Sequence, residues 1–255
     1  MSLHVHEWGE RGAPEVVCLH GVQAHGGRFR RLAEERLGNR FHVLAPDLRG
    51  HGRSSWDEPW TLERHVADVL ETVPKPAAWI GHSFGGRMVA EVIAQRPELV
   101  QRAVLLDPAL LVPPDYAQFL ADQELAADAS FATVEEAVQQ TFAGLLRRPS
   151  EMLEEELREH LEQGGDGRFR FRYSPQAVAA GYVEVAVPPP AWERAGILTL
   201  IVAGATSKFV SVGEVELYRA ALGDLLQVVV VPGGHSVLWD AFDETADAIE
   251  RFLDT

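Results

Sequence analysis

The sequence predicts an α/β fold, a mostly parallel sheet of about eight strands with helices on both faces and a helical insertion. Three observations carry this. Short apolar runs alternate with stretches of helical spacing along most of the chain, which is the rhythm of strand–helix–strand units. Runs such as Val16-Val17-Cys18-Leu19 and Val104-Leu105-Leu106 are apolar throughout, as strands covered on both faces are. Between about residues 111 and 190 the rhythm stops, and afterwards it returns.

In order, Leu3 to Trp8 alternates loosely and suggests an edge strand, and Glu15 to Leu19 a buried one. A glycine-rich loop, His20 to Gly27, leads to a short helix from Phe29 to Leu37. Phe41 to Ala45 is the next strand and enters Pro46-Asp47-Leu48-Arg49-Gly50-His51-Gly52-Arg53-Ser54. Thr61 is placed to cap a helix carrying Leu62, Val66, Val69, Leu70 and Val73 on one face. A strand ending at Gly81, a turn at Ser83 and a helix stopping near Pro97 follow, then a strand from Ala103 to Leu106 closed by Asp107-Pro108. In the insertion the spacing is helical at Tyr116–Ala127, Thr133–Leu146, Ser150–Leu161 and Pro175–Val183, with prolines at both borders (Pro113-Pro114 and Pro188-Pro189-Pro190). Ile197–Val202 and Gln227–Val231 are strands, Val212–Leu222 and Phe242–Leu253 helices. The expected division is 1–110 and 191–255 for the two parts of the core and 111–190 for the insertion.

Composition narrows the function. A chain of 255 residues that is 46% hydrophobic can bury a substantial core. Its formal net charge of −15 disfavours nucleic acid and anionic membranes as partners. Cys18, the one cysteine, lies inside a strand run and cannot form an internal disulfide. No apolar run approaches a membrane span and the first residues do not resemble a signal peptide, so the expected location is cytoplasmic.

Gly81-His82-Ser83-Phe84-Gly85 carries the chemistry. A serine on a sharp turn between strand and helix has its hydroxyl pushed out above the sheet. Such a pentapeptide also recurs by chance; the strand before it and the helix after it supply the required context. A serine hydroxyl needs a base, usually a histidine oriented by a carboxylate. Of ten histidines, His235 follows the last strand directly, whereas His20 is placed to brace a loop and His82 to point away. His20, Ser83, Asp107, Ser207 and His235 all follow strands, and such loops gather along one edge of the sheet.

Together these pieces resemble the α/β-hydrolase superfamily: His20-Gly21, Asp47-x-Arg49-Gly50-x-Gly52-x-Ser54, the elbow at Ser83, and Gly234-His235, in the family's order. The resemblance covers the chain from about residue 3 to 253, apart from residues 111–190, which it makes a helical cap. It implies an oxyanion hole from the backbone N–H groups of Val22 and Phe84. Losing one such donor costs about 2.7–4 kcal/mol in barrier. It also implies a structural role for Asp47 and Arg49. One departure stands out. Most relatives carry the acid in a pattern like G-x-x-D, and here that segment is Gly204-Ala205-Thr206-Ser207. Some relatives, haloalkane dehalogenases among them, carry it at the end of the sixth strand in the family's count. Asp107 holds that place and is assigned as the acid over the plainer role of a loop cap.

The expected activity is a serine hydrolase (carboxylesterase-like) cleaving small carboxylic esters, with Ser83, Asp107 and His235 as triad and no metal or organic cofactor. C–C bond, lactone or amide hydrolysis and perhydrolysis are variants on the same site. Relatives acting on haloalkanes or epoxides use aspartate where Ser83 stands. A ligand receptor with little turnover is the reading from another class. His25, Phe209 and Trp239 are expected to line the substrate space. From Asp115 to Glu162 twelve acidic residues face three arginines and no lysine, a field that would not welcome large anionic substrates.

Overall fold

The structure is a computed structural model and describes residues 3–127, 129–143 and 151–254. Strands β1 (Val5–Trp8), β2 (Glu15–Leu19), β3 (His42–Pro46), β4 (Ala77–His82), β5 (Val100–Leu106), β9 (Thr199–Gly204) and β10 (Leu226–Val231) form one sheet in the order β1-β3-β2-β4-β5-β9-β10. Only β1 runs antiparallel to its neighbour. Among the described residues the main sheet has seven strands, close to the about eight expected.

Strand alternation divides the core between the two faces. Val17 and Leu19 point to the face covered by α2 (Leu62–Thr72) and α3 (Phe84–Gln95), where Val66, Val69, Met88 and Ile93 are buried. Val16 and Cys18 point to the other, packed by Phe29, Leu32 and Leu37 and by α10 (Phe242–Leu253) through Ile249 and Phe252. Side chains of period two meeting helices of period 3.6 bury both faces. Cys18 is fully buried, and burial pushes its thiol well above the usual range. Thr61 caps α2 as expected, its hydroxyl accepting from the Arg64 N–H at 3.3 Å.

Between β5 and β9 lie helices α4 (Pro114–Ala126), α5 (Val134–Phe142), α6 (Glu151–Glu159) and α7 (Pro175–Glu184). The expected helix ends at 144–146 and 150 fall outside the described residues. The segment also holds a small antiparallel sheet that helical spacing did not anticipate: β6 (Ser130–Phe131), β7 (Leu161–Gln163) and β8 (Phe169–Phe171), with β8 central. Strands of two or three residues are too short for a period to show. Gly164-Gly165-Asp166-Gly167 between β7 and β8 was the available hairpin signal. Buried Arg87 on α3 ties the segment's two borders together, donating to the carbonyls of Leu110 at 2.9 Å and Val187 at 2.7 Å. The 3-10 turn at Trp192–Ala195 leads back into β9, and α8 (Val212–Leu222) and α9 (Val237–Asp240) complete the helices named here. No helix among the described residues is long and apolar enough to cross a membrane.

Candidate active site

Ser83 sits between β4 and α3 with φ 55° and ψ −117°, a strained conformation for a residue with a side chain. The neighbouring glycines make the turn possible. A Cβ on Gly81 would overlap the carbonyl of Gly85, and one on Gly85 the carbonyl of Leu19. The turn is pinned on both sides: the Ser83 N–H donates to the Leu106 carbonyl at 3.1 Å, and its own carbonyl accepts from Gly86 at 2.9 Å and Ala109 at 3.1 Å. Gly21 packs against it, since a Cβ there would lie 3.0 Å from the Ser83 Cβ. Helix α3 begins directly behind, so its free N–H groups and positive dipole end face this point.

Asp107, at the tip of β5, is fully buried and also has a positive φ, 41°. Its Oδ1 accepts from the Gly204 N–H at 3.0 Å. Its Oδ2 accepts from His235 Nδ1 at 2.6 Å and from the Ser207 hydroxyl at 2.5 Å. The three strand-end residues Asp107, Ser207 and His235 therefore meet although roughly a hundred residues separate each of the last two from Asp107. A carboxylate on Nδ1 leaves Nε2 of the ring free to accept a proton. Ser207, unable to be an acid, instead donates to one; its oxygen also accepts from the Phe209 N–H at 3.2 Å. Phe209 lays its ring 4.1 Å from that of His235.

His82 adjoins Ser83 but faces elsewhere: its Nε2 donates to the His235 carbonyl at 2.9 Å. Desolvation by the surrounding protein pushes its pKa down to about 3, so it is neutral at physiological pH and braces the His235 loop. His20 likewise accepts at Nε2 from the Leu48 N–H at 2.9 Å and has Nδ1 2.7 Å from the Gly21 carbonyl. Its burial holds its pKa well below the usual value.

His25 was expected to line the substrate space. It is buried, its ring stacked 4.1 Å from His160 and its Nε2 2.6 Å from Glu156. Trp239 carries the Arg28 guanidinium 3.7 Å over its ring, with Phe142 of α5 at 5.6 Å. Gln23, Glu124, Glu156 and Tyr173 also come to this region, and sequence patterning gave no signal for them. Asp47 does the structural work expected: it accepts from the Gly26 N–H at 2.7 Å, the Arg53 N–H at 2.8 Å and His6 Nε2 at 3.0 Å. Burial alone would raise its pKa; these bonds and the nearby histidines outweigh it and hold the carboxyl below the ordinary range. His4, His6 and Asp47 are the one group with metal-ligand donors among the described residues. Within that group His6 and Asp47 are hydrogen-bonded to each other.

A doubly covered parallel sheet, a strained serine between strand and helix, and a histidine–carboxylate pair at the neighbouring strand ends define a hydrolase architecture. The chain belongs to the alpha/beta hydrolase family, whose pattern it matches over residues 16–248. It is a hydrolase by that kinship. It is 33% identical over 197 residues to Lipase LipV of Mycobacterium tuberculosis, covering 74% of this chain and 75% of that one. It is 30% identical over 270 residues to 2-(acetamidomethylene)succinate hydrolase of Mesorhizobium japonicum, covering 100% of this chain and 92% of the other. The crystal structure of E-2-(acetamidomethylene)succinate hydrolase superposes with a TM-score of 0.85 at 25% identity, over 99% of this chain and 95% of that one.

Proposed function

We propose that the protein is a serine hydrolase of small carboxylic esters, with Ser83 as nucleophile, His235 as base and Asp107 as the acid that orients it. The observation that carries this reading is the 2.6 Å bond between His235 Nδ1 and Asp107 Oδ2 at the strand ends beside the strained Ser83. In the first step the Ser83 hydroxyl adds to the acyl carbon and His235 Nε2 takes its proton. The carbonyl electrons move to an oxyanion held by the backbone N–H groups of Val22 and Phe84. Collapse expels the alkoxide, which receives the proton from His235. A water activated by the same nitrogen then hydrolyses the acyl-enzyme. Asp107 keeps the proton on Nδ1 and stabilises the imidazolium.

Residues 111–190 act in this reading as a cap that selects the substrate, with Phe209 and Trp239 lining its path. The relative named Lipase LipV supports an ester substrate. A second reading, hydrolysis of an amide-type bond, is favoured by the relative matched over the whole chain, whose name carries an acetamido group. A panel of p-nitrophenyl esters beside acetamide analogues separates the two, and the expected result is turnover of short acyl esters well above that of the amides. A fluorophosphonate should label Ser83 alone and leave Ser83→Ala untouched, while that variant folds normally without activity. Labelling elsewhere, or no turnover on either series, overturns the reading.

A further inference from the structure

The loop after β2 carries Val22, the residue read above as an oxyanion donor, and Gln23 directly follows it. Gln23 has φ 61°, in the left-handed region that side-chain-bearing residues avoid. A strained residue relaxes unless its surroundings hold it. Relaxation here would swing the Val22–Gln23 peptide plane and move Val22 with it. The surroundings that hold it come from the inserted segment. Gln23 Nε2 donates to Glu124 Oε2 on α4 at 2.5 Å. Tyr173, just before α7, lies near both, and burial together with the charge of Glu124 pushes its hydroxyl's pKa up. Glu124 and Tyr173 are each 8% exposed, so water does not easily replace the bond from Gln23. Burial raises the pKa of Glu124, and the bond from Gln23 opposes that rise. A carboxylate brought into such a place needs its partners, which makes the arrangement specific.

Two further contacts press on the same loop. A Cβ on Gly181 of α7 would come within 2.8 Å of Val22 Cγ1, so the helix lies directly on the donor residue. Glu156 of α6 accepts from His25 at 2.6 Å and from Arg28 Nε at 3.4 Å, holding the far end. Loop and insertion form one packed unit.

We propose that Glu124 is a positioning residue for the reaction, holding the Val22 N–H on the oxyanion through Gln23. The insertion thereby completes the catalytic centre in addition to covering it. The inference rests on the ester-hydrolase reading and on Val22 as donor.

The test compares wild type with Glu124→Ala, Glu124→Gln, Gln23→Ala and Glu124→Ala/Gln23→Ala on the best ester of the panel. It also uses a trifluoromethyl ketone of the same acyl chain. Addition of Ser83 Oγ to that carbonyl forms a C–O bond, sends the hydroxyl proton to His235 and leaves an oxyanion for the backbone donors. Glu124→Ala should lower kcat by about tenfold to a hundredfold, the range for a donor displaced by about 1 Å or lost. KM should stay within about threefold, because ground-state binding does not use the oxyanion donor. The inhibition constant of the ketone should rise in step with the loss in kcat. Glu124→Gln keeps an acceptor oxygen for Gln23 Nε2 and should recover most of the rate. Gln23→Ala should match Glu124→Ala, and the double variant should be no worse than either. If Glu124→Ala does not fold, Gln23→Ala by itself should show the loss in kcat and ketone affinity together. Unchanged kcat and ketone affinity, or losses that multiply in the double variant, overturn the proposal. Failure of the underlying reading looks different: the wild type itself would escape fluorophosphonate labelling.

Discussion

Asp107, Ser207 and His235 form a contiguous hydrogen-bonded set, and Ser207 is the residue that reorders expectations. It stands where most relatives carry the acid, yet its Oγ lies 2.5 Å from Asp107 Oδ2. A carboxylate at position 207 is therefore expected to lie beside the place that Asp107 Oδ2 occupies. Asp107→Asn should fold normally and lose about 10⁴ in kcat, the scale of that exchange in a comparable triad, because the amide favours the wrong tautomer. Adding Ser207→Asp to Asp107→Asn should restore part of the rate. Steady-state kinetics on both variants checks this, and near wild-type turnover of Asp107→Asn would place the acid elsewhere. Ser207→Ala removes a donor to Oδ2 and the brace on the Phe209 N–H. The expected outcome is a smaller loss, about tenfold, measured in kcat on the same ester.

Two elements depend on single residues in ways a variant can read. The elbow leaves no room at position 85, where a Cβ would overlap the Leu19 carbonyl. Gly85→Ala must push β2 and α3 apart, and a lowered thermal midpoint together with lost ester turnover is the expected outcome. Arg87 joins α3 to both borders of the inserted segment and pairs with Glu91 at 3.0 Å. Arg87→Met leaves the buried Leu110 carbonyl without its donor and should cost about 2 kcal/mol in urea unfolding, the scale for lost bonds to a buried charge. Limited proteolysis of that variant should open near residues 111–114 and 187–190 first. Resistance equal to wild type at those borders would mean that the prolines and the Val112 N–H bond to the Val185 carbonyl suffice to hold them.

Across the molecule, buried histidines set the response to acid. Burial pushes His51 down to about 4 and His65 to about 3, and holds His20 and His160 well below their ordinary value. In the unfolded chain each titrates near 6.5. Below about pH 6.5 the unfolded state therefore binds protons that the folded state does not, and stability falls as pH falls. Each histidine contributes up to about 1.4 kcal/mol per pH unit until its folded pKa is reached. Asp47 and Asp68 act in the same direction at lower pH. For Asp68, burial would raise the pKa, but the ion pairs with Arg49 and Arg64 outweigh it and lower the pKa. Urea midpoints measured from about pH 7.5 to about pH 5 should thus drop with a slope above one proton. A flat profile would mean that these histidines are charged in the folded state.

The apolar runs of β2, β4, β5 and β9 were readable because a strand buried on both faces must be apolar at every position. The elbow was readable because only glycines fit at positions 81 and 85, and the contact between Asp107 and His235 because both directly follow strands of one sheet. Those are local constraints, and they leave marks along the chain. The other bonds that join distant segments leave none. Nothing in a lone Glu124 or Gln23 distinguishes a buried latch from a solvated side chain, since their partnership spans 101 residues. The same holds for the donation of Ser207 to Asp107 and for the burial of His25 against His160 and Glu156. Strands as short as β6, β7 and β8 carry too few residues to express a period, and pairing alone makes them a sheet. Patterning follows from what each residue needs of its immediate environment, whereas side-chain partnership follows from which surfaces the folded chain brings together.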